Sequence, residues 1–272
     1  QAKAAPDGFA GAVIAAAAEM SSLFTNKVSV NIQVGYGEIN GSPLSASAAA
    51  SSGSYGSFVS YDALRGALTS HSTGDAIESK AFSNLSASDP TSGGRFFLSS
   101  AQKKAVGLAG ASTTLDGFIS LSNKLSFQYT GTATPGKYDA IGAMEHEITE
   151  VMGRTGSAGN EYGANTYTAL DLYRYSNNGA EPTRALTAST PGTPYFSIDG
   201  GTTNLGSYNA PGNGADLADW SATEIGDPFG YSMAGLAQKI TSRDVISMEA
   251  IGWHASSAGI TLAQAQKAYA SV

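Results

Sequence analysis

Tyr138-Asp-Ala-Ile-Gly-Ala-Met-Glu-His-Glu-Ile-Thr-Glu-Val-Met-Gly-Arg154 is the stretch on which the reading of this chain turns. Apolar residues at Ile141, Met144, Ile148, Val151 and Met152 recur at helical spacing, while His146 and Glu150 stand four apart on another face. One turn of helix therefore aims an imidazole and a carboxylate at a common point. Glu147, next to His146, projects beside that point, where it can take a proton from a bound water without being a ligand.

The pattern is one residue away from His-Glu-x-x-His, in which two imidazoles bind zinc and the intervening Glu is a general base. Glu150 replaces the second imidazole with a carboxylate oxygen, an acceptable zinc ligand at nearly the same bond length. The added negative charge holds the metal firmly but polarises its water less. The competing reading is a helix with an exposed acidic face, Glu145, Glu147 and Glu150, and an incidental histidine.

A chain of 272 residues, 42% hydrophobic, can bury a large core in one big domain or two small ones. Only 14% of residues are charged and none is cysteine, a composition that suits a bacterial secreted protein held together without disulfides. A net charge of −7 and a pI near 4.9 argue against nucleic acid or an anionic membrane as partner. The longest apolar run, residues 9–18, is too short to span a membrane and lacks the charged flank of a signal peptide. The chain starts at Gln1 without an initiator Met, which suggests that a leader or tag has been removed.

Along the chain, residues 7–24 predict a first helix capped by Asp7, with a stripe of Phe9, Val13, Ile14, Ala17, Met20 and Leu23. Val28, Val30, Ile32 and Val34 alternate with polar residues as in a half-buried strand. Residues 41–56 are Ser/Ala/Gly-rich and read as loop, residues 60–68 as a short helix, and His71 as a solvated loop histidine. Strands are expected at 95–99, 115–122 and 125–129, with a helical turn over 101–108 between the first two. The strand around 117–121 is placed to lie at a sheet edge and pair with extended substrate. Beyond Arg154 come a Gly-rich loop, a strand-like run at 167–175 and a hairpin entering its turn at 195–201. Residues 204–227 are a loop in which Asp216, Asp219 and Asp227 offer oxygens suited to a structural calcium ion or to turns. Helices are expected over 241–252, with its own cap and stop, and over 261–269. No repeat or clean linker divides the chain. It reads as a single α+β domain, 1–272, with an N-terminal subdomain to 154 carrying the active helix and an irregular, β-rich C-terminal subdomain from 155.

His146-Glu-Ile-Thr-Glu-Val-Met-Gly-Arg154, followed by Ala169-Leu-Asp-Leu-Tyr-Arg-Tyr-Ser176, Tyr195-Phe-Ser-Ile-Asp-Gly-Gly201, Ala218-Asp-Trp220 and Ala250-Ile-Gly-Trp253, resembles a family of bacterial secreted zincin-like metalloproteases, distantly similar to metzincins and serralysins. The resemblance implies a mixed sheet with an active-site helix, a zinc ion, and a protein or peptide substrate hydrolysed by a monomeric secreted endopeptidase. In metzincins the motif continues as His-x-x-Gly-x-x-His. Gly153 keeps the glycine, but Gly156 stands at the third-ligand position and offers no side chain. The resemblance then implies a downstream carboxylate, Asp171, 21 residues past Glu150, at about the interval gluzincins use, with Glu161 an alternative. His254, at a helix end, reads as structural rather than as a ligand and Met248 as ordinary core rather than a counterpart of the Met-turn, while Tyr162 or Tyr167, by nearness in sequence alone, is a candidate oxyanion donor. The ligand set expected is thus His146, Glu150 and Asp171, with Glu147 catalytic. Two other readings stay open: an inactive zincin-like surface or binding protein, and a carbohydrate-active protein pairing Glu147 with Asp171.

Overall fold

A computed structural model describes residues 4–179, 181–210, 215–230 and 234–256; the helix expected over 261–269 lies outside them. The architecture is mixed α+β. Its helices are α1 (Phe9–Leu23), α2 (Tyr61–Ser70), α3 (Ala76–Ser83), α4 (Ser100–Ala105), α5 (Ala140–Val151) and α6 (Ser242–Ala250). None is long and apolar enough to cross a membrane.

Helix α5 is the centre of the packing. Helix α1 lies against it with Phe9, Ala12, Ala16 and Met20 buried, while Ile14 of the expected stripe is 68% exposed. Asp7 does not cap α1; Gly8, with φ of 93°, occupies that position. On another side α5 rests on a three-stranded sheet. Gly117–Leu121 forms its middle strand, parallel to Ile32–Tyr36 and antiparallel to Ala50–Ser54.

This corrects the expected position of the 117–121 strand. All five of its residues are buried, as befits a strand covered on both faces, and it is central. One edge is Ile32–Tyr36, and the other is Ala-Ser-Ser-Gly-Ser at Ala50–Ser54. That strand has poor intrinsic β propensity and forms because its neighbour offers an unpaired row of backbone groups. A buried ion pair pins the start of the sheet: Lys104 Nζ lies 2.6 Å from Asp116 Oδ2, and the same oxygen accepts the Asn31 amide at 2.7 Å.

A second sheet joins Gly56–Val59, Arg95–Ser99 and Thr166–Thr168; a third, antiparallel, joins Thr183–Arg184, Arg174–Ser176, Pro194–Phe196 and Gly206–Ser207. The run expected as one strand over 167–175 breaks into Thr166–Thr168, a 3-10 turn at Leu170–Tyr173, and Arg174–Ser176. The break is local chemistry: the Asp171 carboxylate takes the Thr168 amide at 2.7 Å and its hydroxyl at 3.1 Å, which bends the chain out of extension. One continuous apolar cluster runs through both halves, from Phe9 and Met144 to Leu172, Trp220, Met248 and Trp253.

Helix α6 begins with a capping box in which Thr241 and Asp244 satisfy each other's backbone amides. It packs against α3, where Glu249 is 4% exposed. Burial, with Asp75 and Glu78 nearby, pushes the Glu249 carboxyl up from 4.5 to about 8. A group that holds its proton more tightly when folded stabilises fully below pH 4.5, and that contribution is lost as pH rises through 8. Wild type should therefore lose on the order of 3 kcal/mol between pH 4 and 8 from this residue. Urea titrations of wild type and Glu249→Gln across that range should diverge, the variant keeping the flatter profile; parallel profiles contradict the assignment.

Candidate metal centre

Helix α5 starts where Asp139 accepts the Ile141 amide at 3.0 Å, and it stops at Gly153, whose φ of 107° turns the chain away. Any side chain there would also collide with Gln102, because a Cβ would fall 2.7 Å from its Oε1. The helix thus presents His146, Glu147 and Glu150 to a cleft of about 340 Å³. Glu147 and Glu150 are each 6% exposed and Glu145 2%, so the exposed acidic face does not exist.

The imidazole of His146 is oriented from behind. Its Nδ1 donates to the Pro228 carbonyl at 2.7 Å, which leaves Nε2 facing the cleft. From Nε2, Glu150 Oε1 and Asp219 Oδ1 each lie 3.4 Å away. Ser52, on the edge strand, donates to Glu150 Oε2 at 2.7 Å. Asp219 arrives on a turn in which its own amide donates to the Asp216 carbonyl and its Oδ2 accepts the Asp216 amide, both at 3.2 Å. Donor atoms of His146, Glu147 and Glu150 lie within 4.8 Å of one another, as do those of Glu150, Asp216 and Asp219.

Arg154 secures this meeting of helix and loop. It is fully buried, donates from Nε to Thr149 Oγ1 at 3.1 Å and from Nη1 to the Ala218 carbonyl at 3.1 Å, and stacks on Phe229. Its Nη2 stands 3.8 Å from Asp219 Oδ1.

The electrostatics are those of crowded anions. Burial and the charge of Glu150 drive the Glu147 carboxyl far above its ordinary value. Burial, together with Glu150 and Asp219, raises Asp216 to about 7. Burial acts against charge on His146, but Asp219 and Glu150 outweigh it and bring the ring to about 10. Burial likewise acts against ionised Glu150, yet the hydrogen bond and charge of His146, Arg154 and Ser52 hold it near 2. Protons thus offset charge among oxygens of a kind that also suits a divalent cation. Glu147 Oε2 and Asp219 Oδ1 are buried with no hydrogen-bond partner, as oxygens awaiting such a cation would be.

The expected ligand Asp171 is not brought to this point. Its carboxylate is spent on the amides of Ser157, Ala158 and Thr168, at 3.0, 3.0 and 2.7 Å, where it ties the loop beyond Gly153 to the Thr166–Thr168 strand. It does not line the cleft, so the pairing of Glu147 with Asp171 also fails. Glu161 is exposed on the loop. His254 forms a close pair with buried Glu78, His71 is exposed just beyond α2, and Met248 is ordinary core. Tyr162 stacks on Phe97, and Tyr167 packs at a tilt against Phe96; the tyrosine lining the cleft is Tyr138. Asp227 holds Arg243 at 2.6 Å, the structural role left open for it, whereas Asp216 and Asp219 of the same run join the centre. The signal for Asp219 was its place in Ala218-Asp-Trp220, one residue after the carbonyl that Arg154 needs.

Comparison with protein-family models, curated proteins and solved structures finds no match to this chain.

Replacing Asp171 with alanine would strand three buried amides. The expected cost is about 2–4 kcal/mol in urea unfolding. The affinity for zinc, measured on the folded variant, should be unchanged; a selective loss of zinc would return Asp171 to the ligand set.

Proposed function

We propose that this chain is a zinc-dependent endopeptidase of zincin-like plan, acting on protein or peptide substrates outside the bacterial cell. The observation that carries the reading is that Glu150 Oε1 and Asp219 Oδ1 each lie 3.4 Å from His146 Nε2, with Glu147 beside them and its Oε2 buried without a hydrogen-bond partner. One imidazole and two carboxylates are a donor set that zinc accepts, and three protein ligands leave a position open. Zinc bound there would supply a Lewis acid for the scissile carbonyl and lower the pKa of a water toward neutrality.

The protein's own groups do the rest. Glu147 accepts a proton from the attacking water and passes it to the leaving amine. The Pro228 carbonyl fixes the imidazole tautomer, and Ser52 and Arg154 steady the two carboxylates. Peptide as substrate is supported by the cleft's border. Ser47 to Ser52 line it, and the strand they lead into pairs on one side with Gly117–Leu121 and with no other strand among the described residues. An extended chain laid along such an edge finds main-chain partners whatever its side chains.

Glu147→Gln should retain zinc and lower turnover of an unfolded protein substrate by about 10²–10⁴-fold. His146→Ala and Asp219→Ala should each weaken zinc binding at least about tenfold while far-ultraviolet circular dichroism stays native. Wild type that takes up no zinc in elemental analysis and cleaves nothing would leave a binding scaffold as the better description.

A further inference from the structure

The strand that borders the cleft does not stop at Ser54. The Ala49 carbonyl accepts the Ser122 amide at 2.9 Å, the Tyr55 amide donates to the Asp116 carbonyl at 2.8 Å, and the Tyr55 carbonyl accepts the Ser100 amide at 2.6 Å. In an antiparallel ladder the two main-chain groups of one residue point to the same side, so the chain passes from the first sheet into the second with its paired side unchanged. Alternation turns the amides and carbonyls of residues 50, 52, 54, 56 and 58 the other way, where no strand meets them among the described residues. The edge proposed to hold peptide thus runs on from Ser52 to Phe58, about 20 Å further.

That extension is lined with aromatic rings. Side chains at 52, 54, 56 and 58 share one face, on which Ser52 and Ser54 donate to Glu150 at 2.7 and 3.4 Å. Position 56 is glycine, and the Phe97 ring occupies the place of its side chain, since a Cβ there would fall 2.5 Å from Phe97 Cζ. Phe58, directly opposite Phe97 in the ladder, meets it edge-on with ring centroids 5.7 Å apart. Tyr162, on the loop beyond α5, stacks on Phe97 at 4.4 Å. Arg95, two residues before Phe97, lies over the Phe58 ring at 4.4 Å and bounds the row.

These rings meet water. Phe58 is 36% exposed, and Phe97 and Tyr162 are half-buried. Large apolar side chains as open as Phe58 are few among the described residues, the others being Ile14, Tyr55, Leu108 and Ile225. An exposed apolar patch marks an interaction surface, and this one adjoins unpaired main chain on the face that carries Glu150. An extended chain uses both features at once: its backbone pairs with the edge, and alternate side chains fall on the rings. A flat or bulky apolar side chain gains most there, because ring contact adds to the area buried.

We propose that Phe58, Phe97 and Tyr162 form a specificity subsite for an aromatic or large aliphatic side chain of the peptide substrate, about four residues along the edge from the one beside Ser52. The inference rests on the peptidase reading above and adds a sequence preference to it. Four extended residues span about 13 Å, so the rings hold substrate without touching the reacting bond. Contacts made equally before and during reaction act on KM rather than on kcat.

The test moves one phenylalanine along a peptide. Alanine- and serine-based peptides of about twelve residues, long enough to cover the edge on both sides of the cleft, are compared as substrates of the zinc-loaded full chain. Wild type should favour phenylalanine about four residues from the cleaved bond, on one side only, by about three- to tenfold in kcat/KM over the peptide without it, through KM. Each ratio is taken within one variant, so a change in overall activity cancels. Phe58→Ala should bring the ratio to near unity, and Phe58→Leu, which keeps apolar bulk, should retain part of it. Cleavage by wild type with no such preference, or a preference that survives Phe58→Ala, overturns the subsite and leaves the peptidase reading standing. Anisotropy of the same peptides, fluorescently labelled, separates the two claims. Absent cleavage with binding that Phe58→Ala weakens overturns the peptidase reading alone; absent cleavage without such binding overturns both. Self-association of wild type that Phe58→Ala abolishes, with no peptide preference, gives the rings to a second copy of the chain and overturns the subsite.

Discussion

A buried guanidinium holds the candidate centre together. Arg154 sits just past the end of α5 and reaches across to the segment carrying Ala218 and Asp219, 64 residues further along the chain. Burying an arginine costs several kcal/mol unless its donors are met and its charge is answered. Here Thr149, the Ala218 carbonyl, the Phe229 ring and Asp219 share that task. Folding the second half in any arrangement that withheld this segment would leave the charge stranded. The same contact that satisfies Arg154 therefore decides which carboxylate meets His146.

That arrangement concentrates negative charge where water is scarce. Buried carboxylates packed side by side either take up protons or attract cations, and each costs stability until it does one or the other. Raised values at Glu147 and Asp216 and a raised imidazole at His146 are the response of the protein alone. Such a cluster is tolerated in structures when function needs it and when a ligand offsets its cost. The surrounding core, continuous from α1 to Trp253, supplies the margin.

Much of the helix chemistry was legible in the sequence because it is local. The spacing of His146 and Glu150, the place of Glu147 and the glycine that ends the helix at 153 all follow from one 3.6-residue period, and the structure keeps them. The capping of α6 was legible for the same reason. What was not legible depends on long-range pairing. Ala50–Ser54 looks like loop and becomes a strand only because Gly117–Leu121 is there to pair with it. Asp171 looked like a ligand by interval, but interval along the chain carries no information about where a loop returns. Its three amide partners within 14 residues make it a local tie. Asp219 lay in a stretch read as calcium-binding or turn, and nothing short of the Arg154 contact distinguishes it from Asp227, which went to Arg243.

The three elements that meet at the cleft are not equivalent supports. Helix α5 is packed between α1 and the sheet, so His146 and Glu150 are set by folding of the core. Ser52 comes from an edge strand anchored on one side. Asp219 depends on a short turn and on a guanidinium that lies at ion-pair distance, 3.8 Å, without a hydrogen bond. A donor held this way gains its final position from whatever it binds, because ligation adds the directional contact that Arg154 does not make. If the proposed cation binds, its affinity and the stability of the 216–219 turn would be linked, each favouring the other by the same free energy. A rigid helix would thus fix two of the proposed ligands, and the third would depend on a turn and on one buried guanidinium.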